Sequence, residues 1–367
     1  MRKKVLFITN IPAPYRVDFF NELGKLVDLT VLFEAKTTTA ASFNYNLESK
    51  LNFHAVFLNG GDIRERCVDW KILTFLKRGR YDHIVVTNYG YATEAAAILA
   101  LKARKIPYEM ELDGGTLKRE NPVVRGLKQI LIRGAERYWS TGEQTDQFFM
   151  QYGISKERIV RYPFSSVFER EIINRPFSAE EKKTAKQRLG IPFHRVVLSV
   201  GRPLHLKGFD LVIRAATRLP ADTGVVIVGG APKREWLELA KEVGFDRLRF
   251  VEFSSRENVK EYYRAADVFV LATRGDVWGL VVNEAMANGL PVVTTLGCVG
   301  GCEMIQDGKN GYLIPCDTWE PLAECVNRLL MNDELRECVA REGLKTVRNY
   351  TVEAMARVHA AVFKSIS

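Results

Sequence analysis

A repeated alternation of short apolar runs with segments of helical length is the feature that most constrains the fold of this chain. In the first half, apolar runs of strand length occur at residues 5–9, 29–33 and 83–87, and further strands are predicted at 108–112 and 137–140. A second series occurs at residues 195–200, 224–228, 248–251, 268–272 and 291–294. Strands that alternate with helices form parallel sheets covered on both faces. The sequence therefore predicts an α/β protein with two doubly wound parallel sheets.

A polar segment with several prolines, residues 162–193, separates the two series. The length of 367 residues also suits two domains rather than one. We place an N-terminal Rossmann-like domain at residues 1–170 and a C-terminal Rossmann-like domain at residues 171–350. Residues 351–367 carry apolar side chains at helical spacing, and we expect this last helix to pack back on the N-terminal domain.

The charge balance favours an anionic partner. The chain has 53 Lys and Arg against 44 Asp and Glu, a net charge of +9, and residues 1–175 carry 27 against 20, or +7 of that excess. Lipid headgroups and nucleic acid both fit such a surface. Because no helix-turn-helix, RNA-binding or zinc motif is recognisable, a nucleic-acid partner is not expected.

The apolar runs are also too short for other classes of protein. The longest are of strand length, so no membrane-spanning helix is predicted, and the run at residues 5–8 is too short for an export signal. We therefore expect a cytoplasmic protein. The six cysteines have no C-x-x-C spacing and no clustered histidines, so we predict no metal site and assign them no role.

The loop after the run at 195–200 has the composition of an anion site. It reads Gly-Arg-Pro-Leu-His-Leu-Lys-Gly-Phe-Asp and leads into an apolar helix, with Arg202 and Lys207 as its cations. Fixed cations beside a helix N-terminus bind phosphate groups, so a diphosphate is the natural ligand. A surface loop with two solvated cations is the alternative.

A second loop and helix follow the run at 268–272. Here a helix is predicted to start near Trp278 and Gly279, with Asp276 before it and Glu284 about two turns along it. Carboxylates accept hydrogen bonds from sugar and ribose hydroxyls, and the helix N-terminus favours a phosphate. The alternative makes Asp276 a capping residue and Glu284 a solvated helix residue.

Together these segments resemble the retaining GT-B glycosyltransferases of glycosyltransferase family 4. The resemblance covers Gly-Arg-x4-Lys-Gly-x-Asp and, about 60 residues later, acid-x-aromatic-Gly-Leu-Val-x-x-Glu-Ala-x-Ala-x-Gly-x-Pro-Val-Val. It continues into 300–303 and 307–311, and is dense from about 195 to 315. It implies a GT-B architecture, with two Rossmann-like domains facing a central cleft. It also implies transfer of a sugar from a UDP- or GDP-sugar donor to a hydroxyl acceptor.

The resemblance also implies roles for individual donor-site residues. Arg202 and Lys207 would hold the diphosphate, Glu284 the ribose hydroxyls, and Asp276 the donor sugar. Relatives usually have Glu at the position of Asp276, and the shorter side chain suggests a different donor. Backbone amides near the phosphates would come from Trp278, Gly279, Leu280 and Val281, and the backbone of Phe253 would flank the nucleobase.

The N-terminal domain is expected to hold the acceptor. Glu109, Glu111 and Asp113 alternate along one strand and so share a face. Because burying unpaired acids is costly, we expect Glu111 and Asp113 to emerge at the carboxyl end of the strand. Asp113 is our first candidate for a catalytic group and Glu111 our second, with Asp276 the catalytic candidate of the donor site. A simple turn aspartate before two glycines is the alternative for Asp113.

The first loop, residues 9–16, is expected to place Tyr15 and Arg16 near the acceptor or the pyrophosphate. Cleavage of the glycosyl-diphosphate bond develops negative charge on the leaving phosphate, which fixed cations and helix ends stabilise without a metal or another cofactor. The resemblance implies retention of configuration, with a donor phosphate oxygen taking the acceptor proton.

Residues 114–139 form a basic amphipathic helix that either rests on an anionic membrane surface or packs its apolar stripe on the sheet.

These observations predict a metal-independent, hexosyltransferase-type retaining glycosyltransferase of class EC 2.4. Its acceptor is expected to be a glycan or a lipid-linked precursor of a surface polysaccharide, presented at the inner membrane face. Two alternatives share the diphosphate site, namely a GT-B nucleotide-sugar epimerase or hydrolase and a non-catalytic nucleotide-sugar-binding relative.

Overall fold

The structure is a computed structural model that describes residues 2–37, 51–115, 120–252 and 255–365. The chain forms two compact units. Unit 1 comprises the residues up to Ser166 and returns from Thr351 onward, and unit 2 comprises Val167–Tyr350. Each unit is built on one parallel sheet with its own buried apolar core.

Unit 1 contains a seven-stranded parallel sheet in the order β3-β2-β1-β4-β5-β6-β7 within its described residues. The strands are β1 Lys4–Thr9, β2 Asp28–Phe33, β3 His54–Phe57, β4 His83–Val86, β5 Glu109–Glu111, β6 Arg137–Ser140 and β7 Ile159–Arg161. The helices are α1 Pro14–Gly24, α2 Ala92–Ala103, α3 Pro122–Ile132, α4 Glu143–Gln151 and, at the end of the chain, α13 Val352–Ser365.

Unit 2 contains a six-stranded parallel sheet in the order β10-β9-β8-β11-β12-β13 within its described residues. The strands are β8 Arg195–Val200, β9 Thr223–Val228, β10 Leu248–Val251, β11 Val268–Leu271, β12 Val292–Thr295 and β13 Tyr312–Ile314. The helices are α5 Ala179–Arg188, α6 Phe209–Ala216, α7 Arg234–Glu242, α8 Arg256–Ala265, α9 Leu280–Ala287, α10 Val299–Met304, α11 Glu320–Leu330 and α12 Asp333–Val347.

Both sheets reverse their winding direction at the centre. The reversal lies between β1 and β4 in unit 1 and between β8 and β11 in unit 2. In doubly wound sheets the ligand crevice opens at this switch point, beyond the carboxyl ends of the strands. The predicted pair of doubly wound parallel sheets is confirmed, and the switch points direct attention to the loops that follow these four strands.

Two local features differ from the sequence prediction. Helix α1 begins at Pro14 rather than near residue 17, because proline fits the first helical turn, where its missing N–H costs no hydrogen bond. Tyr15 and Arg16 therefore lie in the first turn of α1 and not in the preceding loop. Three edge strands, β3, β7 and β13, were not predicted. Each is only three or four residues long, and the side chains of β3 and β7 are half-buried or exposed.

The last helix, α13, belongs to unit 1 and packs mainly against α1. Met355 and Phe363 are fully buried in that contact. The Phe363 ring lies edge-on to Phe7 of β1, with ring centroids 6.4 Å apart. The core of unit 1 thus depends on residues more than 180 positions after the end of β7.

Candidate functional site

In unit 2 the loop after β8 is held against the loop after β11. Lys207 ends a single 3-10 turn, and Gly208 follows it with a φ of +67° before α6 begins. A side chain at Gly208 would place its Cβ 1.9 Å from the carbonyl oxygen of Ala272. Only glycine allows both this backbone conformation and this approach, so Gly208 fixes where Lys207 leaves the backbone.

Arg274 ties the two loops together. Its guanidinium donates to both carboxylate oxygens of Asp210, at 2.9 and 2.7 Å, and to the carbonyl of His205 at 2.7 Å. It also donates to Asp317 at 2.6 Å. Hydrogen bonding to Asp210 raises the pKa of Arg274, against the opposing effect of burial. The loop that carries Lys207 is therefore fixed from two sides.

The predicted cation and the predicted acid of this site meet directly. The Lys207 ammonium forms an ion pair with a carboxylate oxygen of Asp276, and both side chains are less than one-fifth exposed. Gly279 caps α9 with a φ of +85°, and a Cβ built there would lie 3.7 Å from the same Asp276 oxygen. The cation, the carboxylate and the N-terminus of α9 thus lie together at the carboxyl edge of the sheet.

Glu284 lies in the middle of α9, and its carboxylate accepts a hydrogen bond from the hydroxyl of Tyr263 at 3.0 Å. Burial, together with the charge of Glu284, raises the pKa of Tyr263 well above its usual range, so Tyr263 stays a donor. Trp278 is buried, and its indole N–H donates to Asn283 at 2.9 Å. The Trp278 side chain therefore braces the start of α9, consistent with a role limited to its backbone.

The other residues predicted for a donor site lie at the following positions. Leu280 and Val281 form the first turn of α9, whose N–H groups have no partner within the helix. Arg202 is exposed in the loop after β8. Phe253 lies outside the described residues. Arg274 and Tyr263 were not predicted from the sequence. A cation next to Gly275 at a strand end was a usable signal for Arg274, whereas the sequence around Tyr263 gives none.

In unit 1, four predicted residues form one cluster at the carboxyl end of β5. The Arg16 guanidinium makes ion pairs with Glu111 through one nitrogen and with Asp113 through another. The Tyr15 hydroxyl donates to Asp113 at 2.7 Å. The first turn of α1 therefore binds both the last residue of β5, Glu111, and the acid two positions after it, Asp113.

The expectation that Glu111 emerges from the sheet is wrong. Its side chain is fully buried and receives hydrogen bonds from Arg16 and, at 3.3 Å, from the Tyr162 hydroxyl. Burial alone would raise the pKa of Glu111, but the positive charge of Arg16 and contact with His359 lower it to about 2. The cost of burying an acid was correctly anticipated, yet the chain meets it by pairing rather than by exposure.

Glu109, the first acid of the alternation, is buried for the same reason. Its carboxylate contacts His83 at 2.7 Å and accepts a hydrogen bond from the Trp139 indole at 2.7 Å. Asp113 differs, because its side chain is 27% exposed. Burial raises the pKa of Asp113, although Arg16 opposes the rise. Asp113 is thus the acid of the three that a ligand can reach.

His359 connects the last helix to this cluster. The ring is fully buried, its Nδ1–H donates to the Met355 carbonyl at 2.8 Å, and its Nε2 lies 3.1 Å from Glu111. It also stacks on Trp139, with ring centroids 4.0 Å apart. A lone histidine in an apolar helical pattern gave no sequence signal for this contact.

Helix α3 keeps its apolar stripe at the surface. Val123, Leu127 and Ile130 are all exposed, Leu127 by 60%, and Ile132 alone of the helix is buried. Arg125 donates to the carbonyl of Gln151, and Lys128 pairs with Glu120. The alternative that this stripe packs on the sheet is therefore wrong for these three residues.

Two further observations concern the described residues as a whole. Within them, no helix is long and apolar enough to span a bilayer. In the same parts of the chain, no three or more His, Cys, Asp or Glu side chains are grouped so as to hold a metal ion. The six cysteines, all of which the structure describes, are free thiols.

Two doubly wound units, one with a cation, a carboxylate and a helix N-terminus at its switch point, have the architecture in which many α/β proteins bind nucleotides. Comparison with known proteins specifies the class further. Residues 181–346 match the family described as Glycosyl transferases group 1. The D-inositol 3-phosphate glycosyltransferase of Xylanimonas cellulosilytica is 30% identical over 255 residues, which are 66% of this chain and 60% of that protein. That of Mycobacteroides abscessus is 32% identical over 225 residues, 58% of this chain and 48% of that protein.

Solved structures match over nearly the whole chain. HepE of Anabaena in complex with UDP has a TM-score of 0.81 at 17% identity, covering 99% of this chain and 100% of that chain. Its complex with UDP-glucose has a TM-score of 0.78 at 17% identity, with the same coverage. The chain thus has the GT-B fold, and residues 181–346 carry the group 1 glycosyl transferase match, which confirms the GT-B glycosyltransferase part of the predicted resemblance. The chain spans about half to three-fifths of the length of the two curated relatives it matches.

Proposed function

We propose that this chain is a glycosyltransferase that moves a sugar from a nucleotide-diphosphate sugar, UDP- or GDP-linked, to a hydroxyl acceptor. The observation that carries the proposal is the Lys207–Asp276 ion pair at the N-terminus of α9, with Glu284 on the same helix. The likeness to a UDP-glucose complex and to D-inositol 3-phosphate glycosyltransferases supports the same reaction class.

The ion pair suggests how the donor is received. A diphosphate competes with Asp276 for the Lys207 ammonium, and the first-turn amides of α9 add further donors. Release of Asp276 then frees a carboxylate for the hydroxyls of the donor sugar, while Glu284, oriented by Tyr263, receives the ribose hydroxyls. Arg202 adds a second cation from the exposed loop.

The chemistry follows from charge. As the bond between the sugar and the diphosphate breaks, negative charge grows on the leaving phosphate, and Lys207 and the α9 amides stabilise it. We infer that the acceptor hydroxyl forms the new bond with retention of configuration and passes its proton to a phosphate oxygen of the leaving group. No metal or further cofactor takes part in this proposal.

We assign the acceptor to unit 1 and Asp113 to the acceptor hydroxyl. Asp113 is the partly exposed member of the buried cluster, and Arg16 and Tyr15 fix its orientation. Arg16 and Glu111 are therefore positioning residues rather than catalytic ones. The exposed stripe of α3, with its basic neighbours, is proposed to rest on the anionic inner face of a membrane where a lipid-linked acceptor is presented.

Donor binding and transfer are tested with Lys207→Ala and Glu284→Gln. Both substitutions are expected to lower transfer at least a hundredfold and to weaken binding of UDP- or GDP-sugar in calorimetry, while the melting temperature stays close to that of the wild type. Lys241→Ala and Glu242→Gln, at exposed positions of unit 2, are the matched controls. Unchanged turnover in Lys207→Ala or Glu284→Gln would reject the assignment.

The same assay separates the alternatives. Nucleotide release without an acceptor indicates a hydrolase or an epimerase. A donor that binds but remains unchanged with every acceptor indicates a non-catalytic binding protein.

A further inference from the structure

Unit 1 has a cavity whose lining includes no residue of the Arg16 cluster. It is a cavity of about 430 Å³ at the carboxyl ends of β2 and β3, in the size range of small-molecule sites. Its lining includes Glu34, which directly follows β2, and Trp70, which begins a 3-10 turn. Because it lies on the carboxyl edge of the sheet, it shares that edge with Asp113.

Glu34 brings an unused buried oxygen to this cavity. The side chain is only 5% exposed. Its Oε1 accepts a hydrogen bond from the Thr93 hydroxyl at 2.7 Å, whereas its Oε2 has no partner among the described residues. Thr93 also accepts a hydrogen bond from the backbone of Asp69 at 3.1 Å, so the carboxylate and the loop before Trp70 are held together. Buried carboxylate oxygens are rarely left without a donor, and Glu34 belongs to the lining of this cavity.

Trp70 adds an exposed apolar surface to the lining of this cavity. Its indole is 66% exposed although it is among the largest apolar side chains. The turn that carries it is capped by Asp69, which accepts a hydrogen bond from the backbone of Lys71 at 3.0 Å. An exposed aromatic face next to a carboxylate suits a sugar ring, whose C–H face is apolar and whose edge carries hydroxyls.

The charges of the lining favour a neutral ligand. Glu34 and Asp69 are balanced by Arg64 and Lys71, which line the same cavity. Glu94, fully buried nearby with neither carboxylate oxygen hydrogen-bonded within the described residues, has its pKa raised well above the usual range by burial and by Glu34. Burial and the charge of Glu34 thus favour the neutral form of Glu94. A phosphate or an amine would disturb this balance, whereas a polyhydroxyl ring would not.

We propose that this cavity binds a pyranose ring of the acceptor, with its C–H face on Trp70 and a hydroxyl donating to the carboxylate of Glu34. The assignment to the acceptor rests on the proposed function, since Asp113 lies on the same edge of the sheet. Strand β2 is separated from β5 by β1 and β4, three strand spacings or about 14 Å. That distance exceeds one sugar ring. The acceptor is therefore an oligosaccharide chain, held at an inner ring by Trp70 and Glu34.

The proposal is tested on the full chain without any turnover. Saturation-transfer NMR is recorded with methyl glycosides of glucose, galactose, mannose and N-acetylglucosamine and with their di- and trisaccharides. We expect at least one series to bind, with the trisaccharide bound more tightly than the methyl glycoside. Trp70→Ala abolishes this binding, and Glu34→Gln raises the dissociation constant about tenfold, because a hydrogen bond to a charged acceptor is lost.

The controls separate a lost site from a lost fold. Glu65→Gln changes an exposed acid of the same loop that is not part of the lining, and it should bind as the wild type does. Trp70 is at the surface, so Trp70→Ala is expected to fold even if Glu34→Gln does not. Absence of binding by every probe, or binding unchanged in Trp70→Ala, overturns the proposal.

Calorimetry with UDP and GDP on the same variants distinguishes this inference from the proposed function. Nucleotide binding that persists in Trp70→Ala while sugar binding is lost supports the cavity as a separate sugar site. Sugar binding that depends on Trp70 in a chain that binds no nucleotide would reject the proposed transferase and still leave the sugar site in place. Sugar binding without any gain from the longer chains overturns the oligosaccharide assignment.

Discussion

At the scale of single residues, Arg16 is the centre of the unit 1 site. Its guanidinium is almost fully buried between Glu111 and Asp113. The Cζ atom of Arg16 lies 6.0 Å from the centre of the Phe164 ring. A planar guanidinium presents a different nitrogen to each of the two carboxylates in a fixed geometry, which the compact ammonium of a lysine does not. Removal of one partner from such a buried pair leaves an uncompensated charge, so each member depends strongly on the others.

Glu111→Gln should therefore destabilise unit 1 in a pH-dependent way. The pKa of Glu111 is lowered to about 2 in the folded chain, so the ionised carboxylate stabilises the fold above its ordinary pKa and loses that effect as the pH falls towards 2. The shift from 4.5 corresponds to a difference on the order of 3 kcal/mol between wild type and variant at neutral pH. Urea unfolding at about pH 7, 5 and 3 should show the difference shrink only in the most acidic sample.

Glu136→Gln is the control for this experiment, since Glu136 is exposed in the same unit. It should match the wild type at each pH. A difference between Glu111→Gln and wild type that stays constant down to about pH 3, or grows there, would contradict the ionised pairing of Glu111 with Arg16.

At the scale of elements, the position of the loop that carries Lys207 depends on how closely the backbone at Gly208 approaches that of Ala272. In Gly208→Ala, the added Cβ makes the left-handed backbone conformation at this position cost about 1–2 kcal/mol. The same Cβ would contact the Ala272 carbonyl and force the loop to move. We expect weaker nucleotide-sugar binding and a lower melting temperature. Gly244→Ala, with a φ of +68° but no atom within 4 Å of the added Cβ, carries the conformational cost alone. Equal nucleotide binding by the two variants would show that the close approach is unimportant.

Helix α3 gives a prediction about membranes. Leu127→Glu places a charge in the exposed apolar stripe and should abolish co-sedimentation with phosphatidylglycerol-containing vesicles. Leu99→Glu, at an exposed leucine of α2, should leave it intact. Binding should weaken with added salt, because the basic neighbours of the stripe act through screened charges. If both variants sediment like the wild type, α3 is not the membrane contact.

At the scale of the whole molecule, each unit has its own core, and α13 completes the core of unit 1. Phe363→Ala should cost about 3–5 kcal/mol, because the buried ring packs against Phe7 and Trp139 and the helix carries His359. We expect UDP or GDP binding in unit 2 to persist under conditions where the variant remains folded. Met331→Ala, at an exposed position, should change the free energy of unfolding by less than about 0.5 kcal/mol. Calorimetry and urea unfolding measure both quantities, and a stable Phe363→Ala would contradict this role of α13.

The central strands were predictable because they are buried on both faces and read as continuous apolar runs. Strand β11 at Val268–Leu271 and the loop and helix after it were placed from the sequence for this reason. The edge strand β7 was not, since its half-exposed residues resemble a loop. The placement of the proposed donor-site residues was largely predictable as well, because Lys207, Asp276 and Glu284 follow strand ends whose position in a parallel sheet is set by topology.

The sequence by itself determined the class of fold, the two series of strands and the set of residue types around α9, because apolar periodicity and strand-end motifs act locally along the chain. Only the tertiary structure decided which charges pair. Glu111 is buried because Arg16, Tyr162 and His359 reach it from distant parts of the chain. One carboxylate oxygen of Glu34 is buried without a partner among the described residues for the same reason. Burial and pairing depend on neighbours brought together by folding, and a linear pattern does not record them.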